Sequence, residues 1–453
     1  MKVHFIAIGG SVMHQLALAL QAKGYQVTGS DDEIFEPART NLQKAGLLPA
    51  TIGWNPDLVT PDLNAVILGM HAKSDNPELL RATSLGLTIH SFPGYIYEES
   101  RDKKRVVVGG SHGKTTTTAM IMHVLKKTGL EFDFLVGAKL EGFERSVRIT
   151  NAPVIVCEGD EYPASALEKR PKFHFLIPHI AILTGIAWDH INVFPTFPFY
   201  LEQFVIFVNK IVPGGILIYN ETDEELKTLV KRHFRKDIRY QPYGIPQHAI
   251  AEGETKVHLE GMEGNLKVFG NHNLLNLNAA WYAVRELEIP VEKFLQAIAD
   301  FTGASKRLEL LGQNQWTNVY RDFAHAPSKV KATIEAVKKQ FPGRKLVAVL
   351  ELHTYSSLNE EFMEQYHGAM ALADLPIVFY AAHALELKRL PPLPVEKVVA
   401  GFGHDNLTVM NVAEGLMRFL KGQSYENTNV LFMSSGNYDG ADILTFAQEI
   451  TRG

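Results

Sequence analysis

The chain has 453 residues, of which 46% are hydrophobic and 21% charged, with a formal net charge of −5. That balance gives no basis for a nucleic-acid partner, and no run of about 18 apolar residues offers a membrane span. A single cysteine, Cys157, rules out an intrachain disulfide and an all-cysteine zinc site. Length predicts roughly two to four domains. Met1–Phe5 leads straight into an apolar run without a secretory signature, so the expected compartment is the cytoplasm.

Residues 3–8, VHFIAI, predict a first strand, followed by Gly9-Gly10-Ser11 and a helix pattern through Leu20. A second strand, residues 26–31, ends in Asp31, and a third spans Ala65–Leu68. Strand, glycine turn, helix, strand and acid outline a nucleotide-binding βαβ unit. The turn holds Ala7, Gly9 and Gly10 and falls short of G-x-G-x-x-G, which favours a unit that cradles some other diphosphate. Asp31 either bonds a ribose hydroxyl or caps the turn. The charge-rich stretch Tyr95–Lys104 marks a boundary near residue 104.

Val106-Val107-Val108 predict a buried parallel strand that breaks into Gly109-Gly110-Ser111-His112-Gly113. The chain then runs through Lys114, Thr115 and Thr116 into an apolar-periodic helix. Strand, glycine loop and helix in that order are what phosphate binding requires. Backbone N–H groups of Gly110–Gly113 can approach phosphate oxygens, Lys114 can reach the β/γ-phosphates, and the Thr115 hydroxyl can ligate Mg²⁺. Val108 occupies the first glycine of the full P-loop pattern, leaving a shorter GSHGKT form.

The strand Val154–Cys157 runs into Glu158-Gly159-Asp160-Glu161, and Ile180–Leu183 is followed by Asp189-His190. An acid at the carboxyl end of a strand beside the phosphate loop is where a nucleotide-bound cation needs an oxygen ligand. Glu158 is the chosen ligand, with Asp160 and Glu161 either in support or solvated. Asp189 can orient the His190 ring and leave its other nitrogen for metal. One ion near Thr115 and a second shared by Glu158 and His190 would suit a reaction between two anionic reactants.

Strands at Gly215–Tyr219 and a helix at Pro198–Val208 continue the alternation expected of a mostly parallel sheet. Short strands over Ala249–Phe269 suggest an antiparallel edge, followed by a helix from Leu274 to Leu287. Asn271-His272-Asn273 lead that helix, and Asn273 either caps it or reaches the nucleotide. Beyond a linker at Gly303–Leu308 lies a third α/β series. Its strands are Val319–Phe323, Leu346–Leu350, Ile377–Tyr380 and Val430–Met433, and its helices include Ser328–Lys339, Asn359–Leu372, Val412–Leu420 and Asp439–Ile450. Asp322-Phe323-Ala324-His325 repeats the strand–polar loop–helix pattern and, with Arg307, is placed to complete a nucleotide site on domain closure.

These residues resemble the Mur ligase family of ATP-dependent, amide-forming ligases. GSHGKTTTT is similar to the family's G-T-H-G-K-T-T. Glu158–Glu161, Asp189-His190, Gly270–Asn273, Lys306–Glu309 and Asp322–Pro327 follow in the family's order. The resemblance implies an α/β protein of three domains. Residues 1–104 would form a Rossmann-like UDP-sugar-binding domain around Gly10, Ser11 and Asp31. Residues 105–303 would form a central P-loop ATP-binding domain with a parallel sheet, and 304–453 a Rossmann-like ligase domain. It implies ATP and Mg²⁺, two ions, held by Thr115, Glu158 and His190, with Asn273, Arg307, Asp322 and His325 lining the nucleotide. The string Gly159–Phe173 is similar to the branch that recycles murein peptides. The implied reaction therefore joins L-Ala-γ-D-Glu-meso-diaminopimelate to UDP-N-acetylmuramate through an acyl phosphate, and the alternative acceptor is free L-alanine. His353, Tyr355, Ser356 and Asn437 are the candidate acceptor contacts, and a monomer or weak homo-oligomer is expected.

The chain departs from the family pattern at several places. Ala7 replaces its first glycine, His14-Gln15 a later Gly-Gly, Pro163 an aspartate, Arg321 an acid, and Ala326 the second histidine of D-F-A-H-H-P. Residues 351–356 lack the family's arginine, and no lysine stands where several relatives carry a carbamoylated one.

Overall fold

The computed structural model describes residues 1–137, 140–165, 167–188, 193–304 and 307–452. The chain divides into two compact units, Met1–Ile245 with Leu275–Ile298, and Pro246–Leu274 with Ala299–Gly453. Among the described residues, no helix is long and apolar enough to cross a membrane.

The first unit holds two sheets. Strands Gln26–Ser30, Lys2–Ile6, Ala65–Leu68 and Ile89–Ser91 lie in that order, all parallel. The second sheet runs Arg239–Tyr243, Ile216–Asn220, Ile180–Leu183, Lys104–Gly109, Val154–Glu158, Phe132–Leu135 and Val147–Arg148, parallel except for the last pair. Its middle strands are β-branched runs covered on both faces, as a parallel sheet requires, and Val106, Val107 and Val108 are fully buried. The phosphate-loop strand therefore sits between the strand ending in Glu158 and the strand that precedes Thr184. Both neighbours deliver their carboxyl ends to the same edge, where ligands of open α/β sheets collect.

The first turn keeps a glycine-like backbone without the glycine. Ala7 has φ of 69°, its N–H donates to Ser30 O at 2.9 Å, and it is fully buried. A left-handed alanine costs about 1 kcal/mol, which the sheet around it must offset. His14 also has a local role, its Nδ1 donating to Gly10 O at 2.9 Å and its Nε2 accepting from Gln15 Nε2 at 2.8 Å. Burial pushes its pKa down, partly countered by the Gly10 bond.

The packing behind the loop is aromatic. Phe173 stacks on Phe207 and on His174, each at 4.8 Å, and a side chain at Gly159 would meet it. His174 is buried and donates from Nε2 to Gln203 O at 2.8 Å; burial lowers its pKa from 6.5 to about 4. A neutral buried histidine has a definite pH signature. Below pH 6.5 the unfolded chain takes a proton that the folded ring refuses, so stability falls until the pH reaches about 4, by on the order of 3 kcal/mol in all. His174→Gln is expected to flatten the fall of melting temperature between those pH values, and parallel profiles for variant and parent would refute this. Cys157, in the same core, is buried, and burial pushes its thiol up to about 12, which makes it inert.

The second unit holds a six-stranded sheet ordered Glu309–Gln313, Thr317–Asp322, Thr428–Met433, Lys345–Glu351, Leu375–Phe379 and Thr408–Met410. Only the first pair is antiparallel. Gln247–Ala251, Glu254–Leu259 and Met262–Leu266 form a separate antiparallel sheet. This corrects the expectation of an edge on the central sheet. Thr255 and Gly253 of these strands and their turn bond to Gln340, which ties the small sheet to the Pro327–Gln340 helix.

Two other expectations are corrected. The predicted helix Asn359–Leu372 is a 3₁₀ segment, Glu360–Tyr366, whose Met363 and Tyr366 anchor it in the core. The final helix begins at Ile443, after Tyr438 and Asp439 take up left-handed φ of 53° and 56°. The charge-rich stretch 95–104 is ordered: Phe92–Glu98 is helical, and Tyr95, Ile96 and Lys103 are buried.

Candidate active site

The phosphate loop is clamped from two sides. Gly110 has φ of 124°, and a Cβ there would lie 2.3 Å from Thr184 Oγ1. Gly113 has φ of 80°, and a Cβ there would lie 2.3 Å from Asn276 Oδ1. Only glycine meets both the dihedral and the close approach. Thr184 Oγ1 donates to His112 O, Ser111 N donates to Gly185 O at 2.9 Å, and Thr117 Oγ1 donates to Asn276 Oδ1 at 3.3 Å. The Lys114–Thr128 helix then presents its N-terminus to the loop, an arrangement that favours anions. His112 is exposed, whereas Thr116 is buried behind the helix start.

Two carboxylates meet the first helical residues. Thr115 Oγ1 donates to Glu158 Oε1 at 2.7 Å, and Glu158 Oε2 accepts from Gly137 N at 3.0 Å. Lys114 Nζ donates to Glu161 at 2.7 and 3.1 Å and to Gly110 O at 2.6 Å. Glu161 is thus a buried partner of Lys114 and not a solvated acid, which narrows the two readings left open for it. Asp160 pairs with Lys172 at 2.6 Å. Its burial works against ionisation, but the charge and hydrogen bond of Lys172 outweigh it and hold the carboxyl below its usual range. The Thr115 hydroxyl and Glu158 carboxylate form a hard-oxygen donor pair of the kind Mg²⁺ takes. Asp189 and His190 lie outside the described residues.

A cleft of about 390 Å³ adjoins this edge, with Lys114, Thr115, Glu158 and Gly137 on one side and Gly10, Ser11 and His71 on the other. The structure therefore brings the first turn of the chain and the phosphate loop to one cavity. Asp31 lies beneath that turn, fully buried. Its Oδ2 accepts from Gly9 N at 2.6 Å and its Oδ1 meets His71 Nε2 at 2.8 Å, so its hydrogen bonds serve the turn. Burial raises its pKa, against the pull of His71 and Gly9. Among the described residues, Asp31, Asp32 and His71 also bring three potential ligand atoms within 4.8 Å of one another.

The other predicted nucleotide contacts belong to the second unit. Asn273 is buried, and its amide donates to Phe269 O at 2.9 Å. Asp322 accepts from Leu308 N at 2.6 Å and Ala324 N at 2.7 Å, fixing the end of the linker to the strand. Arg307 stacks on the Phe323 ring at 4.6 Å, and His325 Nδ1 donates to Phe323 O at 2.8 Å. Arg321 makes a forked ion pair with Glu309 at 2.8–3.2 Å, which accounts for a base in place of an acid. Of the acceptor candidates, His353 is half-buried against Gly436, while Tyr355, Ser356 and Asn437 are exposed. Sequence reasoning missed Glu351, a buried carboxylate at the strand end that accepts from Ser434 Oγ and from Tyr438 N at 2.9 Å. It also missed Asn276 against the phosphate loop; one turn beyond Asn273 on the same helix was the available signal.

Three family descriptions match the chain in succession: "Mur ligase family, catalytic domain" over residues 2–103, "Mur ligase middle domain" over 108–284, and "Mur ligase, glutamate ligase domain" over 306–436. A UDP-N-acetylmuramate–L-alanine ligase of Sulfurihydrogenibium sp. (strain YO3AOP1) is 30% identical over 447 residues, covering 96% of this chain and 95% of the relative. The chain belongs to the Mur ligase family. Mur ligases are ATP-dependent enzymes that form amide bonds, and this chain has their three-domain α/β architecture. Another relative of the same name, from Persephonella marina, is 33% identical over 380 residues, covering 81% of this chain and 79% of the relative. Among solved structures, a UDP-N-acetylmuramate–alanine ligase from Thermotoga maritima shares the fold with a TM-score of 0.68 at 24% identity, covering 99% and 98% of the two chains. A UDP-N-acetylmuramate:L-alanyl-γ-D-glutamyl-meso-diaminopimelate ligase from Neisseria meningitides aligns with a TM-score of 0.58 at 26% identity, covering 66% of this chain and 98% of that one.

Proposed function

We propose that this Mur ligase uses ATP to join UDP-N-acetylmuramate to an amine, with L-alanine as the acceptor. The observation that carries the first part is the cleft shared by Gly10, Ser11, Lys114, Thr115 and Glu158. The domains divide the work as 1–104 for the UDP-sugar, 105–303 for ATP and 304–453 for ligation. A carboxylate of the sugar substrate attacks the γ-phosphate of ATP, giving an acyl phosphate and ADP. The amine then adds to the acyl carbon, and phosphate leaves. Lys114 and the Gly110–Gly113 amides hold the transferring phosphate, where preorganised donors contribute most. Mg²⁺, held by Thr115, Glu158 and His190, would supply neutralising charge. Asn273, Arg307, Asp322 and His325 are assigned to the nucleotide, Gly10, Ser11 and Asp31 to the UDP group, and His353, Tyr355, Ser356 and Asn437 to the acceptor.

The acceptor is where this reading leaves the sequence expectation. Residues 159–173 pointed to the tripeptide, whereas the nearly full-length likeness at 30% identity is to alanine ligases. The tripeptide stays as the second reading. It is supported by the 26% likeness to the Neisseria enzyme and by the Asp160–Lys172 pair that orders the same string. The test is kcat/KM for L-alanine against that for L-Ala-γ-D-Glu-meso-diaminopimelate, with ATP and UDP-N-acetylmuramate saturating. L-alanine is expected to be the better substrate; a higher value for the tripeptide restores the recycling assignment.

A further inference from the structure

Glu161 has no part in the chemistry set out above, yet it occupies the head of Lys114. It is 1% exposed and places one oxygen 2.7 Å and the other 3.1 Å from Nζ, while Gly110 O takes a third donor position at 2.6 Å. Behind it a polar chain continues. Tyr200 OH lies 3.5 Å from Glu161 Oε1 and 2.8 Å from Ser111 Oγ, and Ser111 Oγ accepts from Ala187 N at 2.8 Å. Tyr200 is fully buried, so the carboxylate is backed by a rigid ring. An ammonium has three donor directions, and here all three are filled by oxygens on one side of the loop. A phosphate reaching Lys114 must take one of these places, and it must do so against a buried negative charge.

We infer that Glu161 is a positioning residue that stands in for a phosphate on Lys114 and yields it to the incoming nucleotide. The carboxylate keeps the ammonium preorganised in the empty enzyme and opposes the nucleotide while doing so. The inference rests on the reading that ATP docks at Lys114, and is independent of which amine is the acceptor. Two opposed effects follow. Removing the charge relieves the contest for Lys114 and tightens ATP binding, since like charges repel strongly in a site shielded from water. It also frees the Lys114 head to wander, which slows the chemical step.

The test is calorimetric binding of the β,γ-imido analogue of ATP with Mg²⁺, without a second substrate, alongside steady-state ligation. Glu161→Gln is expected to lower Kd by about tenfold and to lower kcat, so that KM for ATP and kcat fall together. A merely structural role would weaken binding and kcat alike. An unchanged or weaker Kd in Glu161→Gln overturns the inference. If that variant fails to fold, Glu161→Asp keeps the charge and withdraws it by one methylene. Tighter binding then supports the contest, and equal or weaker binding overturns it. A parent enzyme whose affinity is the same with and without Lys114 removes the nucleotide reading and this inference together; Lys114-dependent binding that ignores Glu161 removes the inference alone.

Discussion

Lys114→Ala is expected to lower kcat/KM for ligation by about a hundredfold or more, the usual loss when a preorganised charge at a developing transition state is removed. A lysine on a loop that admits a phosphate would be expected to stand open to solvent, and its loss would then be silent in the folded state. The structure says otherwise: its side chain is 15% exposed and its partner Glu161 only 1%. Truncation therefore leaves a buried carboxylate without its cation, an imbalance that costs about 3 kcal/mol or more. The melting temperature should fall along with the activity. Pairing Lys114→Ala with Glu161→Gln separates the two effects, since the double variant removes the orphaned charge but not the missing ammonium. It is expected to recover stability and to remain inactive. A well-folded Lys114→Ala enzyme that ligates at a near-normal rate would defeat the assignment of Lys114 to the phosphate.

What could be read from the sequence was local. The run Val106–Thr118 states its own strand, loop and helix, because β-branched residues, glycines and a helical period follow one another within a dozen positions. Glu158 was legible for the same reason, as the first acid beyond an apolar strand. Partner choice was not legible, because it depends on which strands become neighbours. Glu161 belongs to Lys114, and Thr184 and Asn276 belong to the two loop glycines, only because the sheet and the Asn271–Arg285 helix set them there. The three-stranded antiparallel sheet was misplaced on the same ground: its alternation shows strands but says nothing of which sheet they join. Residues 359–372 carry enough helix formers to suggest a full helix, and burial of Met363 and Tyr366 tightens the segment to 3₁₀ instead. In the acceptor region the exposed Tyr355, Ser356 and Asn437 gave no periodic signal at all. Glu351, the buried acid beside them, lies one residue past the predicted strand Leu346–Leu350 and read as loop, whereas the strand runs through it.

Glu158→Ala is expected to cost about a hundredfold or more in kcat/KM and to raise the Mg²⁺ concentration needed for half-maximal rate. Glu158 Oε1 accepts from the Thr115 hydroxyl at 2.7 Å, so a cation taken by one finds the other in its shell. The other oxygen, Oε2, accepts from Gly137 N at 3.0 Å, at the wall of the same cleft. Two functions are therefore joined in one carboxylate, and the substitutions can divide them. Glu158→Gln retains a carbonyl oxygen for Gly137 N but loses the charge, so it should keep the cleft's shape and still show the higher Mg²⁺ requirement. Thr115→Val removes a neutral oxygen and should cost less than Glu158→Ala. If Thr115 and Glu158 hold one ion, the double variant Thr115→Val/Glu158→Ala will lose less than the singles combined, because the second change removes a ligand from a site already broken. Strictly additive losses, or a Mg²⁺ requirement unmoved in Glu158→Gln, would mean that Glu158 serves only to fix Thr115 and Gly137 in place.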